Sequence, residues 1–243
     1  MSQQLLPGKN QVIAVIGASG RLGECIIRQL HKQSANAILI GTTRKSEPTH
    51  ADYTAYAPDL SERGCLTLQE QINQILSKTN GSLDMIYLVA GCAYPDDKLT
   101  PDHIKEIYTV NSDMVEWWAK QYPHVPMVFI SSGAVYGTKG TIPLQCYSKA
   151  KRKGEKAFLC STNHAPRIIV RLAQVYTDFL KRAEMVDIAF SSLIAISPEK
   201  AAQQIVRGVA NGKQLILVGW ATRFLHWAHN RISPSFAQLF MNL

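Results

Sequence analysis

No run of about 18 or more apolar residues occurs in the 243-residue chain, so no membrane-spanning helix is expected. The opening MSQQLLPGKN lacks the basic start and apolar core of a secretion signal. Five cysteines (Cys25, Cys65, Cys92, Cys146 and Cys160) are an odd number with no CxxC pair and no zinc-like spacing. That excludes a disulfide scaffold, offers no metal site, and suits a reducing, cytoplasmic compartment. Cys25 and Cys92 read as core or near-core thiols. Internal repeats, low-complexity tracts and linkers are also missing, so a single domain over residues 1–243 is expected. Charged residues are only 18%, but hydrophobic residues at 46% exclude a disordered chain. Acidic residues are in deficit, 18 against 26 Lys and Arg, giving a net charge of +8. Such an excess suits nucleic acid, a membrane surface or a phosphorylated cofactor. The basic residues are scattered, with a local cluster only at 149–156, which favours the cofactor and argues against nucleic acid.

What is present alternates between two periods. QVIAVIG, NAILIG, YTAYA, LDMIYLVAG, VPMVFISS, PRIIVRLAQVY and QLILVG are seven short apolar or β-branched runs that read as strands. Between them lie helical patterns: RLGECIIRQLHKQ, LTLQEQINQILSK, the long DHIKEIYTVNSDMVEWWAKQY, and YSKAKRKGEKAFLCS. SPEKAAQQIVRGVANGK is another, capped by Ser197, with Pro198 at its first position and Gly212 near its end. Strands alternating with crossover helices predict an α/β fold, an open, doubly wound, mostly parallel seven-stranded sheet with helices on both faces.

The first strand runs into GASGRLG, and a helix follows at once. Gly17 suits the tight turn, Gly20 allows close approach of a pyrophosphate, and Gly23 lets helix pack on strand. Ser19, Arg21 and Leu22 fill the turn where helix N–H groups face an anion. No Gly-Lys-Ser/Thr follows, so this is not a Walker-type loop. After the second strand, an NAD-selective site would carry an acid for the ribose 2′-hydroxyl. The chain offers Thr42, Thr43, Arg44 and Lys45 instead. Arg44 can hold a 2′-phosphate with several N–H donors, so NADP(H) is favoured over NAD(H).

Tyr147 and Lys151 are i and i+4, on one helix face. A phenol titrates near 10, and lowering it by ~3 units takes about 4 kcal/mol of support for the phenolate. Lys151, a bound nicotinamide cofactor and Ser132 are the expected sources. Tyr94-Pro-Asp-Asp-Lys98 repeats the spacing, but Pro95 and two acids put it in a loop. Ser131 and Ser132 close a strand at the carboxyl edge of the sheet; alternation points only one of them into the cleft, taken here as Ser132. Asn111, on the long helix, is positioned to hold a water that relays protons from Lys151.

In this order, these residues resemble the short-chain dehydrogenase/reductase family, from Val12 to about Gly219. The resemblance implies a Rossmann fold, a nicotinamide cofactor, and an Asn–Ser–Tyr–Lys tetrad of Asn111, Ser132, Tyr147 and Lys151. In that family the tyrosine is the proton donor and the lysine binds the ribose. Asp59-Leu60 resembles the acid-apolar pair that touches the adenine, and Ala90-Gly91 the small residues flanking the nicotinamide ribose. The chain departs from the family pattern in three places. Its glycines run GxxGxxG, SSGAVYG looks like the extended branch, and LVAGCAY replaces Asn-Asn-Ala-Gly. The extended branch carries a large C-terminal substrate region, whereas 92 residues follow Lys151 here, so the chain resembles a divergent, classical-length member.

The segment 176–196, with Tyr176, Phe179, Met185, Val186, Ile188 and Phe190, is expected to cover a small to medium carbonyl or alcohol substrate. The basic, aromatic tail from about residue 220 is expected to pack over the substrate end or against a neighbouring subunit, in preference to peripheral membrane contact. Lys149, Arg152, Lys153 and Lys156 read as a solvated helix face. Trp117, Trp118 and the Tyr147 helix offer a self-association face for a homodimer or homotetramer. The leading expectation is an NADPH-dependent oxidoreductase; the alternatives are an NADP(H)-sensing regulator and an epimerase or dehydratase that recycles its cofactor.

Overall fold

The computed structural model describes residues 11–34, 36–45, 48–137, 144–161, 164–177 and 195–232. The strands are β1 (Val12–Ile16), β2 (Ile38–Thr43), β3 (Tyr53–Tyr56), β4 (Leu83–Leu88), β5 (Met127–Ser132), β6 (Arg167–Leu172) and β7 (Leu215–Val218). They form one sheet, ordered β3-β2-β1-β4-β5-β6-β7, with every pairing parallel. Alternate residues feed two cores. Ala14, Ile16, Ile86, Leu88 and Phe129 face one side, while Ile13, Val15, Met85, Tyr87, Val128 and Ile130 face the other. Both sides are covered by helices, which is why the strands read as unbroken apolar runs.

Helices α1 (Arg21–Gln33) and α6 (Pro198–Ala210) cover one side through Ile26, Ile27, Leu30, Ile205 and Val209. The other side holds α2 (Glu62–Thr79), α3 (Pro101–Tyr108), α4 (Met114–Gln121) and α5 (Gln145–Cys160). Helix α2 begins a turn before the expected Leu66. Ser61 caps it by accepting from the Gly64 N–H at 3.3 Å, and Gly64 lies against the Asp59 carbonyl where a Cβ would collide.

The long helix expected over residues 102–122 is interrupted. Thr109–Asp113 forms a π turn between α3 and α4. Asn111 spends its side-chain amide on the Ile107 carbonyl and the Cys92 carbonyl, each at 2.8 Å, satisfying one acceptor in its own helix. Its own carbonyl bulges against Gly154 of α5, where a Cβ would collide with it. At the far end of α4, buried Arg167 donates to the carbonyls of Ala119, Tyr122 and Val125 and ties that end to β6.

Two surface expectations change. Trp118 is fully buried and stacks on Tyr122 inside this chain's own core, so of the two tryptophans only Trp117 is left for a partner. Arg152 leaves the solvated face: it donates to the carbonyls of Val135 and Gly137. Lys153 instead pairs with Asp113 at 3.0 Å. The tail begins as helix α7 (Trp220–Arg231), which buries Ala221, Leu225 and Ala228 near Val135 and Tyr136. Residues 233–243 lie outside the described residues. So does most of the expected substrate-covering segment, including Phe179, Met185, Val186, Ile188 and Phe190. Its two ends meet in a bridge between Val175 and Ile196. Among the described residues, no helix is long and apolar enough to cross a membrane.

Candidate active site

The strand order reverses at β1, which sits between β2 and β4. Crevices at such a switch point, outside the carboxyl ends of the strands, are where open α/β sheets bind ligands. The candidate residues gather along that edge. Gly17 follows β1, Thr43 ends β2, Asp59 follows β3, Ala90 and Gly91 follow β4, and Ser132 ends β5.

Gly17 has φ 94°, and a Cβ there would come within 2.7 Å of the Ala90 nitrogen. Only glycine fits that turn. Its N–H donates to the Thr42 hydroxyl at 2.9 Å. Gly23 lies so close to the Gly17 carbonyl that a side chain would collide with it. Gly20 is exposed and begins α1 without any side-chain cap, and a Cβ there would meet only the Gly17 carbonyl, at 3.5 Å. Ser19 and Arg21 are exposed beside it and Leu22 is half-buried. A turn open above Gly20, with uncapped helix N–H groups, fits a pyrophosphate.

Thr42 and Thr43 are buried and hold structure. The first latches the glycine turn, and the second accepts from the Lys45 N–H at 3.0 Å. Arg44 is exposed and pairs with Glu106 at 3.3 Å; Glu106 also accepts from the Tyr94 hydroxyl at 2.6 Å. The Asp59 carboxylate accepts from the hydroxyl and the N–H of Ser61, which holds its pKa below the usual carboxylate range. Leu60 is buried and lines a cavity of about 280 Å³ with Cys65, Thr109, Met114 and Trp117.

At the other end, Tyr147, Ser132, Lys151 and Asn111 come together. Tyr147 is 7% exposed; burial pushes its phenol up, and hydrogen bonding with Ser132 opposes that. Lys151 is 2% exposed, and its Nζ donates to the Ile130 carbonyl at 2.8 Å. The ammonium lies 4.8 Å from the Phe129 ring centre and 5.8 Å from that of Tyr147. Burial pulls Lys151 down to about 7, with Cys92 and Glu155 working the other way. The expected acidified phenol is therefore not produced by the protein's own groups, because desolvation outweighs their support. Asn111 and Lys151 flank Gly91: a Cβ there would stand 3.4 Å from Asn111 Oδ1 and 3.7 Å from Lys151 Nζ. Asn111 Oδ1 is buried with no hydrogen-bond partner. An orphaned acceptor next to a buried amine is a seat for a bridging water or a ligand hydroxyl. With the open glycine turn, it makes the edge suited to a dinucleotide.

The positions of these side chains are enforced from outside. Asp96, in the loop of the rejected Tyr94–Lys98 copy, accepts from the backbone N–H of Gln145 at 2.6 Å and of Cys146 at 3.1 Å, capping α5. Ser148 donates to the Ala134 carbonyl at 2.7 Å, and Arg152 reaches the same turn, so α5 is fastened to the residues after Ser132. Glu155 receives Arg171 at 3.0 and 2.6 Å, and Arg171 also donates to Tyr136, whose hydroxyl meets His226 at 2.7 Å. Burial lowers His226, and neighbouring Arg171 and His229 lower it further.

Sequence reasoning missed Cys92, Glu155, Glu106 and Asp96. Cys92 bears electrostatically on both Tyr147 and Lys151. It directly follows Ala90-Gly91, and Glu155 is four residues after Lys151, so both spacings carried a signal. Glu106 and Asp96 gave none, because their contacts cross long sequence gaps. Ser131, rejected in favour of Ser132, is buried with its hydroxyl unpartnered.

The sequence model of the NAD dependent epimerase/dehydratase family matches residues 13–220. The chain belongs to that family of NAD-dependent enzymes, within the short-chain dehydrogenase/reductase enzymes. A monoglucosyldiacylglycerol epimerase of Synechocystis sp. is 30% identical over 104 residues, 43% of this chain. That match spans 24% of the relative's length, about a quarter. A short chain dehydrogenase from Burkholderia cenocepacia, in complex with NADP, superposes with a TM-score of 0.73 at 15% identity, covering 99% of each chain. A 3-ketoacyl-(acyl-carrier-protein) reductase from Brucella melitensis, complexed with NADH, gives 0.70 at 14% identity, over 86% of this chain and 96% of that one. At such identities these two speak to the fold.

Proposed function

We propose that the enzyme uses NADP(H) to reduce a small to medium carbonyl compound, or to oxidise the matching alcohol. The observation that carries this reading is the buried group of Tyr147, Ser132, Lys151 and Asn111 beside an open glycine turn. Bound nicotinamide supplies or takes up the hydride. Tyr147 gives its proton to the substrate oxygen as negative charge develops there, and the Ser132 hydroxyl steadies that oxygen. Lys151 holds the ribose and, when charged, favours the phenolate left behind. That phenolate regains its proton from Lys151, and Asn111 Oδ1 holds the water through which Lys151 is then reprotonated. The glycine turn from Gly17 to Gly23 takes the pyrophosphate, with Asp59 and Leu60 at the adenine and Ala90 and Gly91 at the nicotinamide ribose.

Replacement of Tyr147 tests the chemistry. Tyr147→Phe is expected to abolish NADPH consumption across a carbonyl panel while nucleotide affinity, read by fluorescence titration, stays within about twofold. Retained turnover removes Tyr147 from the mechanism. Selectivity rests on Arg44, since Arg44 and Lys45, not an acid, directly follow β2. Arg44→Ala is expected to weaken NADPH by about 10-fold or more and NADH little, because a charge-assisted phosphate contact contributes about 1.5–3 kcal/mol. Equal loss for both cofactors refutes the 2′-phosphate role.

A second reading is favoured by the family match and the epimerase relative: hydride leaves the substrate and returns to its other face, with no net oxidation. A glycosyl-bearing lipid is then a candidate substrate. Stereochemical scrambling with catalytic amounts of cofactor and no net NADPH consumption separates it from net reduction; tight NADPH binding without either reaction points to a sensor. The proposal also has one nucleotide-binding domain, a cytoplasmic setting, and self-association through Trp117 and the α5 face. Analytical ultracentrifugation reads the last.

A further inference from the structure

Helix α7 presents two different faces. Ala221, Thr222, Leu225 and Ala228 are buried. On the opposite face Trp220 is 50% exposed and Trp227 51%. Residues 220, 223, 227 and 231 recur close to the helical repeat and make one stripe. Arg223 and Arg231 are its exposed basic members, and Trp227 leans on Phe224 at 5.8 Å. Arg223 is held in place by the Leu217 carbonyl at 3.2 Å and Gln204 at 3.1 Å. Single exposed apolar residues are ordinary. Tryptophans ranked with arginines along one helix are not, since that pairing suits a polar-apolar boundary.

The charge pattern narrows what this face can meet. From Lys200 to Leu243 the chain has five Lys and Arg residues and no Asp or Glu. Helix α7 itself has no carboxylate, so pairing it with a second copy of itself would set arginine against arginine with nothing to offset the repulsion. An anionic surface has the complementary sign. Tryptophan rings favour the headgroup layer of a bilayer, and each nearby Lys or Arg adds attraction to acidic lipids. The helix also starts at the carboxyl end of β7, the same edge of the sheet as Ser132 and the glycine turn. We propose that the outer stripe of α7 is a docking surface for anionic phospholipid bilayers and holds the enzyme on a membrane without spanning it. This does not depend on the reaction catalysed.

The test is co-sedimentation of the full chain with vesicles of phosphatidylcholine alone or mixed with phosphatidylglycerol. Binding is expected only with phosphatidylglycerol, with a blue shift of tryptophan emission and loss of binding at about 0.5 M salt. Trp227→Ser and Arg231→Glu should each weaken partitioning by about 5-fold or more. Neither residue belongs to the proposed catalytic or nucleotide machinery, so NADPH-induced thermal stabilisation serves as the folding control. Absence of binding to the acidic vesicles overturns the proposal, as does binding that both variants leave intact. A wild-type dimer that Trp227→Ser converts to monomer assigns the stripe to a second copy and overturns it equally.

Discussion

Lys151 is an amine enclosed by the Phe129 ring, the Tyr147 ring and the Ile130 carbonyl, and pulled down to about 7 from an ordinary value of 10.5. Between pH 10.5 and 7 the unfolded chain binds a proton that the folded chain refuses, so stability falls as pH drops through that window and levels off below it. Lys151→Met removes the conflict. The variant is expected to be the more stable protein in urea denaturation, by a margin that grows from pH 10.5 to 7 and is then constant, while turnover is lost. A margin independent of pH would mean the amine stays charged throughout. Side-chain identity at this site was largely legible: Tyr147 and Lys151 from helical spacing, Ser132 from its place at a strand end. Their acidity was not, because desolvation depends on what encloses a group and not on its neighbours in sequence. Cys92 and Glu155 show the same limit from the other side.

Among elements, the contact between α5 and the π turn decides where Asn111 sits. Gly154 lies in the interior of α5, where helix propensity alone would have Gly→Ala gain about 1 kcal/mol. The Asn111 carbonyl occupies the space such a methyl needs, and Phe129 stands 3.3 Å from it on another side. Gly154→Ala is therefore expected to cost about 1–3 kcal/mol in urea denaturation. Turnover should fall with it as Asn111 shifts, with nucleotide affinity kept. A stabilised variant with full turnover would refute the packing argument. Helix and strand periods gave all seven strands and most helices, but a π turn adds one residue without disturbing the apolar pattern around it. The early start of α2 escaped similarly, since it depends on Gly64 meeting Asp59. Helix α7 read only as a tail, because its aromatic and basic residues mask a narrow inward stripe of Ala221, Leu225 and Ala228.

For the whole molecule, the nucleotide edge is assembled from the ends of β1, β2, β4 and β5 and the loop after β3, so a bound dinucleotide ties together segments from most of the chain. Ligand at about 100 times its dissociation constant adds about 2.7 kcal/mol. For a protein of this size that corresponds to about 5–10 °C in Tm. Differential scanning fluorimetry with NADPH is expected to show that shift; no shift at saturating nucleotide would contradict the glycine-turn site. The doubly wound topology was legible from alternation alone, whereas the ties that brace it, such as Arg167 to the end of α4, join residues more than 40 positions apart.

The position of β1 has a consequence for biosynthesis. Of the seven described strands it is synthesised before the others, yet it pairs with Ile38 to Gly41 on one flank and with Leu83 to Leu88 on the other. A nascent chain stopped short of the fourth strand carries a fully apolar ribbon with one row of backbone donors and acceptors bare, open to the wrong partner. Translation pauses or premature stops in that stretch would yield sticky fragments, and holdase chaperones would be expected to matter most there.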